Sequence, residues 1–245
     1  MVGRLLVRGM IAGIAAGLFA FGVGKIVGEP QVNRAIAFES AEHAHGGEHE
    51  EELISRQVQS GLGLATGVLV FGTAVGGLFS LTFAFCYGRV KGLSPRSLSA
   101  LLALAAFIAL VIVPTLKYPA NPPSVGDPDT IGYRTGLFFL MLAISVTVMV
   151  FALSVRRAAV ARWGAWNGSL VGGAVYIAIV AAVQMGLPAI NEVPATFPAS
   201  TLWQFRLASI GMQAVVWTVL GLVFGVLAER VLQKPALPLT GRLRT

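Results

Sequence analysis

Charge is scarce in this sequence. Only 12% of the 245 residues are Asp, Glu, Lys or Arg, against 56% hydrophobic, and mean hydropathy is +0.77. A soluble domain of this size needs far more polar surface, so the composition points to an integral membrane protein. The single cysteine, Cys86, excludes an internal disulfide. No Gly-rich loop ends in Lys-Ser/Thr, which argues against ATP hydrolysis by this chain. The long apolar runs carry no Asp, Glu or His near their middles. That leaves no intramembrane proton relay and no nucleophile or buried metal constellation for an enzyme. A net charge of +7 could suggest nucleic acid. The basic residues are instead scattered in short clusters between apolar runs, as membrane anchors are.

What is present is a series of apolar runs at residues 5–27, 61–87, 98–116, 136–155, 168–187 and 207–228. Each is near the roughly 20 residues that cross a bilayer as a helix. The first exceeds the usual apolar core of a signal peptide and is expected to be a retained helix. The fold expected is all-α, a polytopic membrane protein of about six transmembrane helices arranged as three hairpins. It forms one transmembrane domain over 1–245, with external loops 28–59, 117–135 and 188–206 and a cytoplasmic tail 229–245.

Basic residues set the orientation. Twelve Lys and Arg lie on the side of the termini and six on the other, which places both termini in the cytoplasm. Of the acidic residues only Glu229 falls on the terminal side; the other ten fall outside. An acidic outer surface concentrates cations.

Glycines recur at four-residue spacing: Gly9, Gly13 and Gly17, Gly72 and Gly76, Gly168 and Gly172, Gly221 and Gly225. Small residues at that spacing let helix backbones approach closely in lipid. The first, second, fifth and sixth runs should therefore pack tightly, and the third and fourth should face lipid. The three outer turns read GEP, KYPANPP and LPAINEVP, and each is followed by an arginine: Arg56, Arg134 and Arg206. Proline is expected to end each helix as it leaves the membrane. The arginines are expected to snorkel to the interface, or else to be neutralised by one acidic partner per loop, Glu29, Asp127/Asp129 and Glu192.

All three histidines fall in AEHAHGGEHEEE, residues 41–52, among five glutamates. Imidazole with carboxylate suits Zn, Cu, Ni and Co, so His43, His45, His49, Glu42 and Glu48 are candidate metal ligands. Asp127 and Glu192 join them because each sits in a proline-bounded turn. Asn121, Asp129 and Asn191 are secondary candidates. Polar side chains that could mark a path through the helices are Thr66, Thr73, Ser80, Thr82, Ser145, Thr147, Gln184 and Gln213.

The runs KYPANPPSVGDPDTIGYRT, NEVPATFPASTLWQFRLAS, GEPQVNRAIAFE and ISRQVQSGLGL, with the histidine loop, resemble the predicted cobalt transporter subunit CbtA family. The resemblance covers essentially the whole chain. It implies a multi-pass protein of the bacterial inner membrane that supplies cobalt for cobalamin synthesis. It also implies a small single-span subunit, CbtB-like, with a His-rich tail. The function expected is import of a divalent transition metal, Co²⁺ or Ni²⁺ as cargo, with no permanently bound cofactor and no enzymatic activity; a homo-oligomer stays open. The alternative is a non-transporting scaffold that assembles a metal-transport complex.

Overall fold

A computed structural model describes residues 1–46, 54–90 and 92–233, without the side chains of 42–46. Its elements are helices: α1 (Val2–Val23), α2 (Glu29–Gly46), α3 (Arg56–Val58), α4 (Leu64–Cys86), α5 (Pro95–Ala106), α6 (Val113–Lys117), α7 (Ile131–Gly186) and α8 (Ala199–Leu232). There is no strand among the described residues. Five helical stretches are long and apolar enough to cross a membrane: Val2–Ala41, Arg56–Cys86, Pro95–Lys117, Pro128–Gly186 and Ala199–Leu232. Exposed large apolar side chains such as Phe19, Val70, Leu78, Phe139, Ile177 and Leu222 coat them, as a lipid-facing surface requires.

The expected fourth and fifth runs are the two arms of α7. At Gly164 the backbone takes φ 79° and ψ 170°, a region open essentially to glycine alone, and the chain turns back. Beyond the turn Gly168 lies against Val160 and Gly172 against Arg156 and Ala152. Further along, the hydroxyls of Ser145 and Tyr176 sit 2.8 Å apart. The arms are thus antiparallel, sharing a core of Leu137, Met141, Val148, Ala152, Tyr176 and Val180.

One proline, Pro30, does not end its helix where the sequence suggested. The first helix runs through GEP to Gly46, because a π-helical segment, Gly24–Gly28, precedes Pro30. A proline ring inside an α-helix clashes with the carbonyl four residues back. Here the wider π turn comes just before it, and the Glu29 N–H bonds the Gly24 carbonyl, five residues back. The same device recurs at Phe107–Ile112, two residues ahead of the fully buried Pro114, where the Val113 N–H bonds the Ile108 carbonyl. The segment 28–59 is therefore not one open loop. Its first part is helix.

α1 and α4 meet backbone to backbone. A Cβ on Gly13 would strike the Gly72 carbonyl, one on Gly72 the Gly13 carbonyl, and Gly9 and Gly76 oppose each other in the same way. This is the close approach the spacing predicts. α8 packs on α1 and also on α5, where Gly221 faces Ala103 and Gly225 faces Arg96 and Ser99. Ser99 donates to the Gly221 carbonyl at 2.6 Å, and Arg96 pairs with Glu229 at 2.6 Å. The third run thus packs one face into the core, against α8, while Leu101 and Leu104 stay exposed on the other. The glycines that admit it lie on its partner, so its own Leu-rich sequence does not reveal the contact. Phe79, Phe83, Trp217 and Phe224 fill the space between these helices.

The third hairpin is likewise absent as a packed pair. The second arm of α7 packs on the first arm, and α8 packs on α1 and α5.

Candidate functional site

At the end of the bundle that holds the proline-rich turns, α6, the 118–127 turn, the start of α7, the 187–198 turn and α8 enclose a cavity of about 500 Å³. The helix bearing α6 stops because Tyr118 precedes Pro119 and leaves the helical conformation, with φ −126° and ψ 77°. Its hydroxyl then donates to the Pro188 carbonyl at 3.0 Å and ties the two turns together. α2 lies across them. Ala35, Val125 and Phe197 form a small buried cluster with Phe38, whose ring meets Phe197 edge-on at 5.1 Å. Ser124 donates to the Ala35 carbonyl at 3.2 Å.

Asp127 and Glu192 are brought together. The Asp127 side chain caps a short 3₁₀ turn, Pro128–Thr130, by accepting from the Asp129 N–H at 2.9 Å. The Asp127 N–H donates to Glu192 Oε2 at 2.9 Å, and the Thr130 hydroxyl donates to the same carboxylate at 2.8 and 2.9 Å. Arg134 Nε lies 3.2 Å from Glu192 Oε2. That contact is an ion pair without hydrogen-bond alignment, since Nε is buried with no acceptor. Arg134 Nη2 donates to the Asp127 carbonyl at 3.0 Å. The Asp127 N–H first, then the Thr130 hydroxyl and the Arg134 charge, hold the Glu192 carboxyl below its ordinary range.

None of the three arginines is left to solvent alone. Arg56 pairs with Glu29, within one outer turn as expected, and bonds Asn33 at 3.0 Å. The other two cross over. Arg134 faces Glu192 from the next turn, and Arg206 reaches back to the previous one, donating to the Ala120 carbonyl at 3.3 Å and to Asn121 Oδ1 at 2.8 Å. One acidic partner per loop, the pairing the sequence suggested, therefore holds for the first turn only. The exchange stitches the second and third turns together.

The cavity wall carries Arg134, Arg206 and Glu192, two guanidinium groups against one carboxylate. On α8, Arg206, Ser209, Ile210 and Gln213 line it at helical spacing along one face. Of the eight polar residues singled out in the helices, only Gln213 reaches this cavity. Thr73, Ser80, Thr82 and Thr147 bond carbonyls of their own helices, Ser145 meets Tyr176, and Gln184 donates to the Val113 carbonyl at 2.8 Å. Arg206 and Ser209 were not read as a set with Gln213. The signal was present in FRLASIGMQ, as polar residues at i, i+3 and i+7 on an apolar helix.

Glu42, His43 and His45 lie on the last turn and a half of α2, and their side chains fall outside the described parts; Glu48 and His49 fall outside the described residues altogether. Among the described residues no three His, Cys, Asp or Glu side chains converge on a common point.

Five helical stretches long and apolar enough to cross a bilayer, closing over a cavity at one end, define the class: a multi-pass α-helical membrane protein. The chain belongs to the family described as "Probable cobalt transporter subunit (CbtA)", whose model matches residues 2–229. No curated protein and no solved structure matches it.

Proposed function

We propose that this protein is the membrane subunit through which a divalent transition metal, cobalt before nickel, enters a bacterial cell. The observation that supports the reading is the course of α2. The helix that carries His43 and His45 is the one that lies across the cavity turns, through Ala35, Phe38 and Ser124. Ions gathered by His43, His45, His49, Glu42 and Glu48 would be gathered beside the cavity. Imidazole must be neutral to ligate, so capture should weaken below about pH 6.

Asp127 and Glu192 take a second role in this reading. Their groups lock the 118–130 and 187–198 turns, and Glu192 keeps both oxygens engaged, so they shape the entry rather than strip the ion. The second arm of α7 counts as a separate pass, giving six, with both termini cytoplasmic by the 12-to-6 asymmetry of Lys and Arg. A small His-rich subunit is the expected partner, and the inner membrane the expected location.

Uptake of labelled Co²⁺ by cells expressing the chain, with and without a candidate partner, tests the reading. Uptake should follow expression, and the triple substitution His43→Ala/His45→Ala/His49→Ala should raise the concentration for half-maximal uptake. No uptake under either condition would favour the scaffold alternative. Impermeant labelling of Ser124→Cys and Ser200→Cys, but not Ser94→Cys, in a Cys86→Ala background checks the orientation.

A further inference from the structure

The cavity has the wrong charge for a bare cation. Two guanidinium groups, Arg134 and Arg206, line it against the single carboxylate of Glu192, and that carboxylate is turned to Asp127, Thr130 and Arg134. Arg206 has five N–H donors, of which only Nε and one on Nη2 are used, both on neutral oxygens. Asn191, Ser209 and Gln213 line the same space, and their side chains make no hydrogen bond with the described residues. Such unspent donors around two cations are what an anion needs. At about 500 Å³ the space fits a small molecule, since ligand pockets run roughly 300–1,000 Å³. Phe138 and Ile210 supply apolar walls.

We propose that this cavity is a site for a small polycarboxylate, with Arg206 as its principal anchor and Asn191, Ser209 and Gln213 as neutral donors. Two separated cations and several neutral donors suit a ligand with more than one carboxylate better than a single-headed one. Guanidinium matches carboxylate in a planar, two-point fork. A consequence, resting on the transport reading, is that metal entering the cavity does so as an anionic chelate, because a naked divalent ion would be repelled.

The test uses the full chain in nanodiscs of neutral phosphatidylcholine, titrated calorimetrically with citrate and no metal. Citrate should bind, and Arg206→Gln should weaken it about tenfold or more, as loss of a charge-assisted hydrogen bond does. Glu192→Gln should strengthen binding, because it removes the one opposing charge while the amide oxygen still accepts. A folding defect could not produce that gain. No citrate binding to the unaltered chain, or an affinity unchanged in Arg206→Gln, overturns the proposal. So does citrate binding that vanishes in phosphatidylglycerol nanodiscs, since the occupant would then be a lipid headgroup. Because the titration contains no metal, its failure leaves cobalt uptake untouched, and failed uptake leaves the anion site untouched.

Discussion

The seam between α1 and α4 and the cavity wall on α8 are both built from sparse side chains, with opposite results. In the seam, glycines face glycines and the space closes to backbone contact. Along the cavity, Arg206, Ser209 and Gln213 face side chains that do not fill the gap, and the space stays open. Lipid offers little hydrophobic drive for helix association, so packing and hydrogen bonds decide where helices touch. The first surface spends its small residues on contact. The second keeps the side chains of Ser209 and Gln213 without a partner among the described residues, which would be a poor bargain unless something polar enters.

The strongest break of this comparison lies in the seam. In Gly13→Leu the new Cβ meets the Gly72 carbonyl, a backbone atom that cannot swing aside. Overpacking usually costs about 1–3 kcal/mol; here the helices must separate, so about 3 kcal/mol or more is expected. The yield of folded protein in mild detergent should collapse, and thermal unfolding of what remains should shift down sharply. Gly67→Leu, where an added Cβ meets nothing, should be tolerated. Equal losses in both would mean the seam is not the contact that holds α1 to α4.

How much of this was legible follows the same divide. Local spacing announced the seam, because Gly9, Gly13 and Gly17 repeat along one helix face and Gly72 and Gly76 along its partner. It could not announce α5 in the core, since the room for α5 is made by Gly221 and Gly225, more than a hundred residues away. Pro30 misled for a related reason. It is a helix breaker by chemistry, and only the π segment before it, invisible in composition, lets the helix continue. At the site, proline spacing marked the turns that carry Asp127 and Glu192. Their mutual contact spans 65 residues, and the exchange of arginine partners between turns is a tertiary fact that no single loop contains.

A smaller effect is expected at Gly164, which lets α7 fold back and so builds the second half of the molecule. A side chain at φ 79° and ψ 170° is strained whatever room surrounds it. Gly164→Ala should cost about 1–3 kcal/mol. The loss should fall on the Ser145–Tyr176 half, read as faster hydrogen exchange in both arms of α7 with α1 and α4 still protected. Uniform loosening would show that the two halves are one cooperative unit.

Smaller again is the acid response of the turns. The folded-state pKa of Glu192 is lowered, so its contribution is fully present above the ordinary glutamate range and is lost as pH falls through the lowered value. Thermal unfolding of the unaltered chain and of Glu192→Gln should therefore differ at pH 7 and converge in acid. A gap that persists at low pH would mean that the charge is not what joins the turns.

The smallest effect separates two glutamines of the same kind in similar helices. The Gln184 side chain donates to the Val113 carbonyl, whereas the Gln213 side chain lines the cavity and makes no hydrogen bond with the described residues. Gln184→Leu removes a real interhelical hydrogen bond. Such bonds are worth about 0.6 kcal/mol on average inside a bilayer, so a small but measurable drop in thermal stability is expected. Gln213→Leu removes a polar group that contributes no internal bond, and the open space beside it can accept the new side chain. Its stability should stay within about 0.5 kcal/mol of the unaltered protein, while citrate affinity falls, because a donor has been lost and the cavity narrowed. If Gln213→Leu instead destabilises the chain as much as Gln184→Leu does, then Gln213 holds helices together as Gln184 does. The cavity wall would then follow the same logic as the seam, and its open donors would need no ligand to account for them.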